Sequence, residues 1–464
     1  MTESEAPGRG GAPATYPEAP FSSGAPAPVP TPSYGETPAR RATPNPLRAE
    51  LRHGIAPWTG LAVALTVLIP LWSKAPQWQG SWGATQTQLH AASALLAGPL
   101  VAAAACWQGG REHRRRTAEL LLSTPRSRLA QVMAATTPIA LWAAAGYLVA
   151  LAVAFAATAP YTGAGSPPIS LAATDLGFLL SICFVGFVVG RLARWRLTAP
   201  VLAACAFVVL GFPDYVDSAA RFLSPAQVVA LDVSVPVRWF APFLLAWTGG
   251  IAATVLLGYA ARRRYLAVVP LALAVAAGTM IMRTGADLFQ DNPAMARRVC
   301  SEVAPGTPQI CVNAHDAPVL PQMSKALAGM FSRLEGVPGA PVTYVDPWYS
   351  PKNGEATLAY VTRGWGITRN RLTDPHQYRS ETASALVNRD CSTDTRGKDR
   401  KETERVERTD DAVISWLSGK DSTRFPNSPQ LVRLEAMPDA DRKAWLGRFL
   451  ATRKSCTPSE VPVL

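Results

Sequence analysis

Charge is scarce in this sequence. Asp, Glu, Lys and Arg make up 17% of the 464 residues, where about 25% is typical of a soluble protein. Before Met282 long apolar runs dominate, and Asp175 is the one acid inside such a run. Familiar catalytic signatures are missing as well. There is no His-Glu-x-x-His for a zinc site and no Gly-x-Ser-x-Gly elbow for a serine hydrolase. A phosphate loop is also lacking, because Gly397-Lys398 and Gly419-Lys420 are each followed by Asp, without the preceding Gly at the required spacing. A membrane-anchored hydrolase is therefore disfavoured, and neither a metal nor a cofactor is expected on this chain. No cleavable secretory signal is expected either, since the first apolar run starts near Ile55, behind a long Pro-rich stretch.

What the chain does have is basic charge, +12 in total. Such a balance can mark a nucleic-acid binder. Here the basic residues cluster at the ends of apolar runs, at Arg111 to Arg116, Arg191 to Arg196 and Arg262 to Arg264. That is the positive-inside pattern of membrane proteins, so lipid and not nucleic acid is the expected surroundings.

Residues 1–46 are rich in Pro, Ala, Gly, Ser and Thr, a composition that cannot bury enough apolar surface to offset ordering entropy and predicts a disordered tail. Leu47–His53 is amphipathic and predicts a short helix in the membrane interface. Seven runs are then long enough, or nearly so, to cross a hydrocarbon core as helix. They are Ile55–Trp72, Leu89–Trp107, Leu129–Ala157, Ile169–Val189, Thr198–Phe212, Phe240–Ala260 and Tyr265–Met282. The fifth is the shortest. Every alternate connection carries several Arg, while Ser73–His90, Pro160–Pro168 and Pro213–Trp239 carry few basic residues or mixed charge. The alternation predicts an α-helical polytopic protein of the cell membrane, with about seven transmembrane helices within 47–282. Its N-terminus would be cytoplasmic and residues 283–464 extracytoplasmic.

That C-terminal region reads as a small α+β domain. Pro321–Leu334 places Met323, Leu327, Met330, Phe331 and Leu334 on one helical face. Pro341–Val345 and Ala356–Thr362 read as short strands, and Asp439–Lys454 as a helix. Cys106, Cys183 and Cys205 fall in or beside the apolar runs, whereas Cys300, Cys311, Cys391 and Cys456 all fall in the C-terminal domain. An even number in an oxidising compartment predicts disulfides. Three pairings are open, and closeness in the chain favours Cys300 with Cys311, then Cys391 with Cys456.

The most informative stretch is Gly109–Arg128, GGREHRRRTAELLLSTPRSR. Gly109 and Gly110 interrupt the helix before it and Pro125 stops the one inside it, so residues 110–124 predict a short helix with Ala118, Leu121 and Leu122 as its apolar stripe. Such a helix lies on headgroups or docks into a partner's groove. In Glu112, Arg114 to Arg116, Thr117, Glu119, Leu120, Leu121, Thr124, Pro125 and Arg128 the segment resembles the coupling helix of type-2 ATP-binding-cassette (ABC) permeases. The resemblance extends over about Leu47 to Arg264. It implies a permease subunit, of the export type, working as a homodimer or heterodimer of permeases. A separate ATPase subunit would bind the ATP, and Glu112, Arg115, Thr117, Glu119, Leu121, Leu122, Thr124 and Pro125 would be the coupling residues. A seventh span and a C-terminal domain depart from the usual six-span pattern. They resemble a tail of actinobacterial permease-like proteins, through the Cys-x-Val at Cys311 and the close from Trp445 to Cys456.

Two further sites stand out. Asp175 is an intramembrane acid, costly and often functional, yet close enough to the outer end of its run for water to reach it. His315–Asp316 reads as a loop after Cys311. The rival reading of the whole is a non-transporting membrane protein that displays its extracytoplasmic domain for binding or sensing.

Overall fold

The computed structural model describes residues 51–52, 54–115, 127–163, 165–193, 195–227, 229–303, 306–389, 400–419 and 428–464. The expected tail 1–46 and most of the expected interfacial helix Leu47–His53 lie outside the described residues.

Among the described residues seven helices are long and apolar enough to cross a membrane. They are α1 (Ala56–Ser73), α2 (Trp82–Arg115), α3 (Arg128–Thr158), α4 (Ile169–Leu192), α5 (Thr198–Gly211, extended by a 3-10 turn to Tyr215), α6 (Phe240–Ala260) and α7 (Val268–Thr284, extended by 3-10 turns to Arg264–Leu288). Their runs of Ala, Leu and Val favour the one open-ended element that satisfies every backbone polar group within itself, the condition for crossing hydrocarbon. Pro70 and Pro138 sit inside α1 and α3. Ser81 and Ser127 cap α2 and α3, accepting from the N–H of Ala84 and Ala130. The second helix starts earlier than the hydropathy predicts, at Trp82 instead of Leu89, and is broken by a π-turn at Ser93–Ala97. Its polar first turns are covered by protein: Thr85, Gln86 and Ser93 are buried.

Helices α1 and α3 pack together, as do α2 and α4, while α6 lies against α4 and α7, and α5 against α2. Small residues set the closest approaches. A Cβ on Gly146 of α3 would stand 2.1 Å from the carbonyl oxygen of Gly60 in α1, so neither backbone could approach as it does with a side chain between them. By contrast α5 and α7 are little covered, with Phe207, Val208, Leu271 and Leu273 exposed.

The C-terminal domain has a core of its own, in which Val312, Leu327, Met330, Phe331, Tyr344 and Phe449 are buried. Its sheet runs in the order β3 (Arg298–Cys300), β4 (Gln309–Asn313), β5 (Thr343–Val345), β6 (Glu355–Thr357). β3 and β4 are antiparallel and the remaining pairs parallel. The crossover from β4 to β5 is α8 (Leu320–Leu334), which buries the predicted Met323, Leu327, Met330, Phe331 and Leu334. Around this core lie α9 (Pro375–Val387), α10 (Arg400–Ser418), α11 (Pro429–Ala436) and α12 (Asp439–Ala451). The strand expected over Ala356–Thr362 ends at Thr357. Beyond it the backbone leaves the sheet because the N–H of Ala359 turns to the Thr382 hydroxyl of α9. A separate two-stranded sheet joins β1 (Ser234–Pro236), from the connection between α5 and α6, to β2 (Phe289–Asp291), just after α7.

Cys300 and Cys311 face each other across β3 and β4 and form a disulfide. Cys456 is also disulfide-bonded; Cys391, the partner expected for it, lies outside the described residues. Cys106, Cys183 and Cys205 are free thiols. Replacing Cys300 and Cys311 together by Ala should lower the stability of the C-terminal domain by about 2–4 kcal/mol, the usual contribution of a short closed loop. Denaturant unfolding of the purified chain, with and without reductant, checks this, and coincident curves would refute it.

Candidate functional site

Three polar constellations interrupt the apolar structure. The first lies at the arginine-rich end of the bundle, where α2 leaves its last turn. Glu112 pairs with Arg191 at the end of α4, and the His113 Nε2–H donates to the Arg191 carbonyl at 2.9 Å. Arg191 also lies over the Phe187 ring, 5.4 Å from its centre. Arg114 folds back on α2, donating to the Trp107 carbonyl and covering the Trp107 ring at 4.0 Å. The two helices can meet this closely because Gly190 has no side chain: a Cβ there would stand 2.0 Å from the Cys106 carbonyl oxygen. Glu112 and Arg191 thus fasten the base of the expected coupling segment to a second helix. Arg115 is exposed, while Thr117, Glu119, Leu121, Leu122, Thr124 and Pro125 lie outside the described residues.

The second constellation surrounds Asp175. Its carboxylate is 2% exposed, so protein and not water solvates it, contrary to what its nearness to the helix end implies. Gln86 donates to Oδ2 at 2.8 Å, Tyr147 donates to Oδ2 at 3.0 Å, and His90 Nδ1 hydrogen-bonds Oδ1. Gln86 and His90 stand one turn apart on α2, just before the π-turn, so both reach the same acid on α4. None of these three partners was evident in the sequence, although Gln86 and His90 at that spacing were a readable signal.

The third lies where the C-terminal domain rests on the connections of the bundle. Arg363 donates to the Gly80 carbonyl at 3.3 Å and to Asp316 at 2.7 Å, and also bonds the His315 carbonyl. Arg369 and Asn370, at the tip of a hairpin between β7 (Ile367–Thr368) and β8 (Arg371–Leu372), donate to Gln79 and to the Tyr161 carbonyl, each at 2.5 Å. Beside these contacts is a cavity of about 240 Å³. Gln77 and Asp232 reach it from the bundle, and Asn313, Asp316, Asp346 and Tyr378 from the domain. Asn313 donates through Nδ2 to Asp316 at 2.8 Å and to Asp346 at 3.0 Å, and the other Asp346 oxygen accepts from the Trp348 N–H at 2.9 Å. His315 and Asp316 are therefore more than a loop after Cys311, for they form the cavity's polar wall.

Electrostatics in this cavity are set by burial. It pushes the Asp346 carboxyl above the usual carboxylate range, with the Asp316 charge adding to the effect. Burial also raises the Tyr378 hydroxyl, again reinforced by Asp346 and Asp316. His315 is held below the ordinary imidazole value by burial first and by the Arg363 charge second, against the opposing pull of Asp316 and Asp232. Its Nε2 meets the Asn292 amide at 3.2 Å.

Among the described residues no group of three or more His, Cys, Asp and Glu is placed to hold a metal ion. Compared with known proteins, the chain matches no family model, no curated protein and no solved structure.

Two measurements test these constellations. Tyr147→Phe removes one bond to a buried acid and should lower thermal stability by about 1.5–3 kcal/mol, the range for hydrogen bonds to charged groups; an unchanged melting curve would contradict the Asp175 cluster. His315 binds its proton less readily folded than unfolded, so its contribution is complete above the unfolded value of about 6.5 and is lost below it, as pH falls towards and through the lower folded value. The melting temperature should fall as pH is lowered below about 6.5, and His315→Gln should flatten that part of the profile. Parallel profiles for wild type and variant would disprove the assignment.

Proposed function

We propose that this chain is the permease subunit of an ABC transporter, an exporter, energised by a separate ATPase subunit that binds the ATP. The observation that carries the reading is the fastening of Glu112 and His113 to Arg191. A segment that transmits force from a partner has to be fixed to more than the helix it grows from, and here the base of 110–124 is held to both α2 and α4. The arrangement of the ends supports the same reading. Gly80, Tyr161 and Asp232 all accept bonds from the C-terminal domain, so the connections poor in arginine gather at one end of the bundle. With the opposite, arginine-rich end in the cytoplasm, the ATPase meets the coupling segment and the C-terminal domain is extracytoplasmic. The exposed apolar faces of α5 and α7 suit lipid or a second permease.

The rival reading, a membrane protein that displays a binding or sensing domain, gains from the cavity beside Asp346. Partner capture separates the two. A tagged chain should retain a soluble ATPase encoded beside it. Leu121→Asp should abolish that retention with membrane insertion unchanged. Glu112→Arg should reduce it less, and adding Arg191→Glu to that variant should restore it by re-forming the pair in reverse. Equal recovery from all of these forms would end the transporter reading.

A further inference from the structure

We propose that the cavity beside Trp348 binds a small organic cation, a primary ammonium on a short apolar chain, between the Asp346 carboxylate and the Tyr378 hydroxyl. The inference does not depend on whether the chain transports anything.

The cavity's acceptors and donors are unequally free. Asp232, Asp316 and Asp346 supply three carboxylates, and Arg363 is the one cationic side chain on the wall. The Arg363 guanidinium is already engaged by Asp316 and by the carbonyls of His315 and Gly80, so it has little left for an anion. Both Asn313 Nδ2 hydrogens are likewise engaged by Asp316 and Asp346. Among the described residues neither Asp346 nor Asp232 has a cationic partner within 4.0 Å. A half-buried carboxylate without a counter-charge is unfavourable and is relieved by a bound cation.

Tyr378 is the second, independent sign. It is 3% exposed, and its hydroxyl meets no hydrogen-bond partner among the described residues. A buried hydroxyl without a partner is costly. Tyr378 lines the same cavity as Asp316 and Asp346. An ammonium N–H would satisfy its hydroxyl. The rest of the wall suits an organic cation better than a bare ion. Met295, Met323, Val312 and Leu358 offer apolar surface, and the partly exposed Trp348 ring at the rim can lie over a positive charge.

Equilibrium dialysis of radiolabelled n-butylamine against the full-length chain in detergent tests this, with n-butanol and butyrate as neutral and anionic competitors. We expect saturable binding that neither competitor displaces. Asp346→Asn should weaken it by at least ~10-fold, as expected for loss of a buried charge contact. Tyr378→Phe keeps the buried ring and removes only the hydroxyl, so the variant should fold, as its melting curve will show, and bind roughly 2- to 10-fold more weakly. Absence of saturable binding would overturn the proposal. So would displacement by butyrate or n-butanol, or an unchanged affinity in either variant.

Discussion

A carboxylate placed among apolar helices has to find its solvent in the protein. Asp175 does so with donors from two other helices, and that requirement fixes much of the bundle. Gln86 and His90 set the rotation of α2, Tyr147 sets that of α3, and Asp175 itself sets α4. Sliding any one of them by a residue would leave a buried polar group unmatched. Dispersion alone is a weak arbiter of register between smooth apolar helices, so this small polar cluster supplies the specificity that Leu and Val cannot. The glycine contacts near Gly146 and Gly190 then decide how close the helices stand.

The seam between bundle and C-terminal domain follows a similar logic. Arg369 and Asn370 both have positive φ, 50° and 57°, as a two-residue hairpin turn of this hand requires. That backbone suits Asn and disfavours Arg. The strained tip persists because both side chains are anchored, Arg369 on Gln79 and Asn370 on the Tyr161 carbonyl. A glycine at 369 would relax the backbone and give up one of the anchors.

Much of the helical architecture was legible in the sequence, since hydropathy over some twenty residues is a local property. The seven helices, the apolar face of α8 and the Cys300–Cys311 pair all follow from composition and spacing. Contacts across long separations were not legible. Glu112 meets Arg191 and Gln86 meets Asp175 only because α2 and α4 pack side by side, and nothing local to either residue says so. The cavity shows the same limit. Asp346, Tyr378 and Arg363 are unremarkable where they stand in the chain and become a group only when the turn after β5, the segment after β6 and α9 converge. Ala356–Thr362 was misread as one strand for a related reason, because Thr382 on a later helix draws the backbone away.

The small sheet of β1 and β2 has a consequence for how the molecule is made. Its strands are separated in the chain by α6 and α7, yet Ser234–Pro236 must lie beside Phe289–Asp291. During synthesis the first strand emerges and has to wait for both helices before its partner arrives. For two helices that both cross a bilayer, as their length and apolarity allow, the strands flanking them come out on the same side and can pair. Their pairing thus closes a loop around the last two long helices, so the start of the C-terminal domain is tied to the connection that precedes them.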